Sequence, residues 1–184
     1  NVEVTKAVTD YAHPLGVTVE GELGTLGGIE DGVGSGEVHL TDPDQAVEFV
    51  EQTRVDALAV AIGTSHGAYK FKEEPTLALD IVKEIHNRVP ELHMVMHGSS
   101  SVPEELVEIV NKYGGDMPNA KGVPMSEIQS VIPHGVRKVN IDSDGRIAVT
   151  GAIRKVLAEQ PDKFDPRDYL GPARDALAEL VAAK

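Results

Sequence analysis

Two histidines in this sequence stand near the ends of apolar runs, and each is followed by a glycine. The run Ala57–Ile62 leads to His66, and the run Leu92–Met96 leads to His97. Imidazole is the commonest metal-binding side chain, and Glu22 adds a carboxylate at the end of an earlier candidate strand. Two imidazoles and one carboxylate are a donor set for zinc that leaves a position open for a substrate. The residues alone also allow both histidines to be packed, hydrogen-bonded side chains at strand ends.

Two further segments carry small polar residues that suit an anion. Gly98–Ser101 and Asn140–Ser143 each follow a candidate strand and lie beside the start of a candidate helix. Backbone N–H groups at the amino end of a helix bind phosphate, so both segments are candidate phosphate sites. Simple capping of the helices by serine and aspartate explains the same residues equally well.

Three other ionisable residues are candidates for proton transfer or covalent chemistry. Glu30 and Asp31 lie in the glycine-rich segment 24–39, where an acid on a mobile loop could close over a substrate and move a proton. An acidic surface loop is the commoner explanation. Lys138, on the last candidate strand, could form a Schiff base with a ketone, or it could pair with Glu20 or with a phosphate.

The elements that must position these residues alternate along the chain. Apolar segments predict four strands, and periodic apolar residues predict helices between and after them. The strands are expected at about 16–22, 57–62, 93–97 and 137–141. Helices are expected at about 42–54, 77–88, 101–113, 126–132, 146–160 and 169–183, and helical periodicity already runs through residues 4–11. This alternation predicts parallel βαβ units.

The predicted fold class is α/β, with a (β/α)8 TIM barrel favoured over a doubly wound sheet. Polar residues cluster at the carboxyl ends of all four strands, which is where barrel enzymes build their sites. Polar strand residues such as Glu20 and Lys138 share one parity, which a barrel turns inward, while valines occupy the other parity. A barrel needs eight strands and only four are visible. Residues 1–184 are therefore expected to be the C-terminal half of a single barrel domain, with the first half outside this sequence.

Composition argues against several classes of function. The 184 residues carry a formal net charge of −13, which argues against a broad nucleic-acid surface. No apolar run approaches the roughly 20 residues of a membrane span, so no membrane partner is expected. Cysteine is absent, which rules out disulfides and cysteine-ligated zinc in this chain and is compatible with a cytoplasmic protein, the expected location.

Taken together, these segments resemble the class II, zinc-dependent fructose-bisphosphate aldolases and the related tagatose-bisphosphate aldolases. The resemblance covers nearly the whole chain, in order. The matching segments are Val19–Val33, Ala59–Lys70, His97–Pro103, Gly135–Asp144 and Phe164–Leu170. It implies a TIM barrel that reversibly cleaves fructose 1,6-bisphosphate to dihydroxyacetone phosphate and glyceraldehyde 3-phosphate, in glycolysis and gluconeogenesis.

The resemblance also implies roles for individual residues. His66 and His97 would bind the catalytic Zn²⁺, and Glu22 would be a ligand in an alternative metal position. Glu30 would take part in proton transfer, and a monovalent cation, Na⁺ or K⁺, would lie near the two glycines that follow the histidines. The residues implied to hold the substrate and its phosphates are Gly67, Gly98, Ser100, Asn140, Asp142, Ser143 and Arg167. Arg167 would reach the second phosphate from the neighbouring subunit of a homodimer or homotetramer.

This sequence departs from the family pattern in three places, one of which is that the family segment that usually leads into the helix at Asn1, with further substrate contacts, is missing. The family's first zinc histidine, and the aspartate before it, are not in this sequence. Where many members have a leucine–arginine pair after the Asn-x-Asp segment, this chain has Asp144, Gly145 and Arg146. Three alternatives stay open: tagatose bisphosphate as the substrate, Schiff-base chemistry on Lys138, and an inactive fragment or assembly partner that lacks the first zinc histidine.

Overall fold

The structure is a computed structural model that describes residues 1–28, 38–69 and 77–184. Within these ranges the chain alternates strands with helices, and two short 3₁₀ helices lie at His13–Leu15 and Ile132–His134. The longer elements are α1 (Val2–Ala12), β1 (Glu20–Leu23), α2 (Pro43–Thr53), β2 (Ala57–Val60), α3 (Leu79–Arg88), β3 (His93–Met96), α4 (Glu104–Lys112), α5 (Met125–Val131), β4 (Val136–Val139), α6 (Ser143–Glu159) and α7 (Pro166–Ala183).

The four strands form one parallel sheet in chain order, β1-β2-β3-β4. Glu22 pairs with Ala59, Ala59 with Val95, and Val95 with Lys138, after a register shift between Met94 and Val95. The parallel βαβ prediction is therefore confirmed. Because the strands are parallel, the segments that leave their carboxyl ends meet at one edge of the sheet.

The two faces of the sheet differ in polarity, as the alternation of the sequence predicted. One face packs against helices and holds the fully buried residues Leu58, Val60, Met94, Met96 and Val136. Gly21 lies on this face, because a Cβ there would stand 2.7 Å from the ring of Phe49 in α2. The opposite face carries Glu20, Glu22 and Lys138. Burial of the apolar face fixes the strand register, and so determines which residues are left for the polar face.

Several boundaries differ from the sequence prediction. The first strand begins at Glu20 rather than near Gly16, which has a left-handed φ of 70° and ends a 3₁₀ helix, and Val17 is exposed. Helix α6 begins at Ser143, three residues earlier than expected. Helix α7 begins at Pro166 rather than near 169 because Asp165 caps it by accepting the N–H of Arg167.

The helices pack in neighbouring pairs. Helix α7 packs along α6, α4 packs against α6, and α1 packs against α2. Over the described ranges, none of these helices combines the length and the apolar character that crossing a bilayer requires. The fold class α/β with a parallel sheet is confirmed.

Candidate active site

A cleft of about 470 Å³ opens at the carboxyl ends of the strands. Its size is typical of a small-molecule site. Eight of the residues singled out in the sequence line it together: His66, Gly67, His97, Gly98, Ser100, Asn140, Asp142 and Ser143. Segments that are far apart in the sequence therefore meet in one place, which is the arrangement that their positions after successive parallel strands predicted.

Close backbone contacts join the loops that follow β1, β2 and β3. The N–H of His66 donates to the carbonyl of Gly27 at 2.9 Å. Gly28 has φ 88°, and a Cβ there would lie 2.5 Å from the carbonyl oxygen of His66. Gly98 has φ 58°, and its Cβ would lie 2.8 Å from the backbone of Ser65. Glycine is needed at both positions because a side chain would push the loops apart and strain the backbone.

His97 lies between two carboxylates of β1. Its Nε2 is 2.8 Å from Glu20 Oε1, and its Nδ1 is 3.3 Å from Glu22 Oε1. Glu22 and then Glu20 raise the pKa of His97 above its usual value, although partial burial of the ring opposes them. Partial burial raises the pKa of Glu20, but hydrogen bonds from Lys138 and His97 outweigh it and hold that pKa below its usual value. The polar face is therefore a network of opposite charges.

An ion pair between Glu20 and Lys138 joins the two outer strands of the sheet. Lys138 Nζ donates to Glu20 Oε2 at 2.7 Å. Adjacent strands lie about 4.8 Å apart, so a flat sheet would separate β1 from β4 by about 14 Å. The small residues Ala57 and Ala59 lie on the intervening strand β2 and pair with the two glutamates. The contact requires the sheet to curl, with its polar face on the concave side.

The predicted zinc donors are of the right chemical type but are not gathered into a ligand set. His97 and Glu22 are neighbours, and His66 lines the same cleft. Across residues 1–28, 38–69 and 77–184, no three His, Cys, Asp or Glu side chains form a group that could hold a metal ion. Both ring nitrogens of His97 face glutamates, so metal binding there would displace one of these contacts. The prediction of zinc is therefore not confirmed by the geometry.

Ser100 connects the loop after β3 to the start of α6. Its Oγ accepts the N–H of Asp142 at 3.2 Å and the N–H of Ser143 at 3.1 Å. A hydroxyl has two lone pairs, so these two bonds leave its O–H as the remaining hydrogen-bonding capacity. Ser100 is 3% exposed and lines the cleft. A donor of this kind suits the oxygen of an anion.

Among the predicted site residues that the structure describes, Glu22 and Arg167 do not line the cleft. Glu30 lies outside the described residues. Arg167, near the start of α7, donates from Nε to Asp165 Oδ1 at 3.0 Å, and its side chain is 89% exposed. Within this chain Arg167 therefore forms a local ion pair away from the cleft.

Comparison with known proteins decides the family. The family model described as fructose-bisphosphate aldolase class-II matches residues 1–184. The chain belongs to the class II fructose-bisphosphate aldolase family. The match confirms the resemblance that the five sequence segments indicated.

Similar proteins of this family come from distant organisms. The chain is 60% identical over 186 residues to the fructose-bisphosphate aldolase of Giardia intestinalis, covering 100% of this chain and 57% of that protein. It is 54% identical to that of Nostoc commune (100% and 55% covered) and 52% identical to that of Pseudomonas aeruginosa (100% and 56%). The chain thus spans about half the length of the curated relatives it matches.

Solved structures show the same fold. The YdjI aldolase of Escherichia coli K12 is 31% identical, with a TM-score of 0.70 over 98% of this chain and 52% of that one. The fructose-bisphosphate aldolase of Campylobacter jejuni is 19% identical, with a TM-score of 0.66 over 100% of this chain and 54% of that one, and supports the fold alone. In each case this class II aldolase chain aligns with about half of the solved chain.

Sequence reasoning missed part of the cleft in this class II aldolase chain. Arg146, Ile147 and Thr150 line it from α6, and Arg146 Nη2 lies 2.7 Å from Asp142 Oδ2. The missed residues share one helical face with Ser143, at spacings of three, four and seven residues. The expected start of this helix at residue 146 hid that signal, because it left Ser143 outside the helix. Ala68 and Met117, on loops, also line the cleft and carried no sequence signal.

Proposed function

We propose that this chain forms the substrate-binding part of an aldolase that reversibly cleaves fructose 1,6-bisphosphate to dihydroxyacetone phosphate and glyceraldehyde 3-phosphate. The observation that carries the proposal is the cleft that gathers His66, His97, Ser100 and Asn140 at the carboxyl edge of a parallel sheet. Its relatives from Giardia, Nostoc and Pseudomonas are named fructose-bisphosphate aldolases, which supports this reaction. We propose that the reaction belongs to glycolysis and gluconeogenesis.

A bisphosphate substrate needs local anion sites, because the chain as a whole is strongly acidic. Ser100 Oγ already accepts two backbone N–H groups, so its O–H would serve as one donor, and the guanidinium of Arg146 at the same cleft would serve as a second. Asn140 and Asp142 offer an amide and a carboxylate for the hydroxyl groups of the sugar. His97, after β3, lies between Glu20 and Glu22 of β1, across the polar face of the sheet.

Zinc is part of the proposal through family membership. His66, His97 and Glu22 are the donors in this chain that would hold it, and the ring of His97 would then give up one of its two glutamate contacts. Bound zinc would act as a Lewis acid toward the substrate oxygen that gains negative charge during cleavage. A monovalent cation, Na⁺ or K⁺, is proposed beside Gly67 and Gly98, and proton transfer is proposed for Glu30.

We propose that the curved sheet is four consecutive strands of a (β/α)8 barrel, so that residues 1–184 form half of one barrel domain. The concave polar face and the helices on the opposite face support this proposal. A cytoplasmic homodimer or homotetramer is the proposed assembly. Arg167 is exposed and could reach the second phosphate in a neighbouring subunit.

Schiff-base chemistry on Lys138 has weaker support. The amine donates to Glu20 at 2.7 Å, and Lys138 is not among the residues that line the cleft. Borohydride in the presence of substrate traps a Schiff base as a stable covalent adduct, so intact mass after treatment separates this chemistry from metal-dependent cleavage.

The test is a cleavage assay on the 184-residue chain, with fructose and tagatose 1,6-bisphosphate offered separately. We expect turnover that needs added Zn²⁺, that EDTA abolishes, and that His97→Ala reduces about 100-fold or more. Glu159→Gln is the control and should retain full activity, because Glu159 contacts Tyr113 and does not line the cleft. No turnover with or without zinc would favour the inactive fragment, and faster cleavage of tagatose bisphosphate would reassign the substrate.

A further inference from the structure

We propose that Asp144 is a positioning residue, which holds the loop 98–102 so that Ser100 presents only its O–H to a phosphate in the cleft. Asp144 does not line the cleft itself, so it acts through the loop. The proposal rests on the proposed function, because it takes the ligand of Ser100 to be a phosphate group.

The carboxylate of Asp144 is completely buried and bonds to the loop at several points. Its Oδ1 accepts the N–H of Val102 at 2.7 Å, and its Oδ2 accepts the N–H and the O–H of Ser101 at 3.1 and 3.0 Å. Lys184 Nζ lies 2.8 Å from the same Oδ2. Burial raises the pKa of Asp144, but the hydrogen bonds from Lys184 and from the Val102 N–H outweigh it and hold that pKa below its usual value.

The loop needs this support because its backbone is strained. Val102 has φ 49°, a left-handed conformation that is strongly unfavourable for a β-branched residue. A hydrogen bond from an amide to a charged carboxylate is roughly twice as strong as one to a neutral acceptor. The bond from Val102 to Asp144 therefore stabilises a loop conformation that the residue itself disfavours.

On its other side the loop is held by backbone contacts, so Asp144 is the side chain whose change can alter the position of the loop. The carbonyl of Ser100 accepts the N–H of Val123 at 3.0 Å, and a Cβ at Gly122 would stand only 2.3 Å from that oxygen. With its carbonyl fixed in this way, Ser100 can keep both N–H bonds from Asp142 and Ser143 only if Ser101 and Val102 stay where Asp144 holds them. Release of the strained end would free a lone pair of Ser100 and let its proton turn away from the cleft.

The variant Asp144→Asn removes the negative charge and one hydrogen-bond acceptor but keeps the shape of the side chain. The amide has nearly the volume of the carboxylate, but its NH₂ group faces the donors of Ser101 or Val102 and cannot accept from them. The matched control is Asp56→Asn. Asp56 also accepts a backbone N–H, from Val19 at 2.7 Å. It directly precedes β2, so it lies at the amino ends of the strands, away from the cleft at their carboxyl ends.

The experiment measures binding of inorganic phosphate to the folded 184-residue chain by ³¹P NMR titration. The pH is about 7.5, because a carboxylate is ionised there. We expect Asp144→Asn and Ser100→Ala each to weaken binding about tenfold. The double variant should be no weaker than either single variant, because both changes remove the same contact. Asp56→Asn should bind like the wild type.

Three outcomes are decisive. Unchanged binding in Asp144→Asn, or additive losses in the double variant, would overturn the positioning role while leaving the phosphate site intact. No binding by the wild type would overturn the proposed phosphate site and the role of Asp144 together. If Asp144→Asn fails to fold, Ser101→Ala removes one donor to Asp144 and should weaken phosphate binding about threefold; unchanged binding there would overturn the proposal.

Discussion

His97 shows how far the chemistry of one residue depends on side chains from other strands. It follows β3, yet both of its ring nitrogens face glutamates of β1, one of which is bonded to a lysine of β4. None of these three neighbours is close to His97 in the sequence. The pKa of His97 is consequently set by the curvature of the sheet, which brings these residues together.

In metal-free protein, His97 is expected to titrate above the ordinary histidine value of about 6.5. Glu22→Gln should lower the pKa of His97 more than Glu20→Gln, because Glu22 is the larger cause of the shift. The folded pKa lies above the unfolded one, so the stability from these contacts is complete below about pH 6.5 and is lost as pH rises through the folded pKa. Imidazole proton shifts measured by NMR in EDTA provide the test.

Glu159→Gln is the control for this titration, since Glu159 contacts Tyr113 and not the histidine. Its removal should leave the pKa of His97 unchanged. An ordinary pKa for His97 in the wild type would show that the two carboxylates do not hold the ring in solution.

At the scale of elements, the site depends on loops that approach one another at glycines. Gly98 is the clearest case, because its φ of 58° and the 2.8 Å between its virtual Cβ and Ser65 both exclude a side chain. The loop after β3 thereby reaches the loop after β2. This approach brings the backbone of the loop that carries His97 into contact with that of the loop that carries His66.

Gly98→Ala is expected to lower the free energy of unfolding by about 2 kcal/mol or more. The left-handed backbone accounts for about 1–2 kcal/mol of this loss, and the contact with Ser65 accounts for the rest. Gly171→Ala is the matched control. Gly171 lies in α7 with no atom within 4 Å of its virtual Cβ and no positive φ, so alanine should stabilise the protein by about 0.5–1 kcal/mol. Urea unfolding of both variants measures the difference, and equal effects would refute the argument.

The whole molecule is dominated by its negative charge. The formal net charge is −13, while the contacts that organise the site, such as Lys138 with Glu20 and Lys184 with Asp144, join opposite charges. Long-range repulsion and local attraction therefore oppose each other. Salt screens the repulsion between exposed groups more than it screens partly buried pairs.

The melting temperature is accordingly expected to rise by a few degrees as ionic strength increases from about 0.01 M to about 0.15 M, where the screening length falls from about 30 Å to about 8 Å. Circular dichroism melts in NaCl measure it. Lys138→Met, which removes one exposed positive charge and the Glu20 ion pair, should steepen the rise. A melting temperature that falls with salt would mean that the local ion pairs outweigh the net repulsion.

Much of this fold and site follows from local patterns. Alternating strands and helices predict the parallel sheet, and polar residues after each strand predict that His66, His97, Ser100 and Asn140 share an edge, because parallel strands end on the same side. The five motif segments predict the family. Element boundaries were less certain, as at α6, since helix starts depend on caps and on tertiary contacts that periodicity does not contain.

The sequence by itself determined the order of the elements, the residues offered at the carboxyl edge and membership of the class II aldolase family. Only the tertiary structure decided how those residues are used. It placed both ring nitrogens of His97 against glutamates, made Ser100 the acceptor of two backbone N–H groups, left Arg167 outside the cleft and bonded Asp144 to the strained Val102. These outcomes depend on distances of about 3 Å between residues up to 77 positions apart. Packing and the curvature of the sheet set these distances, and local sequence does not.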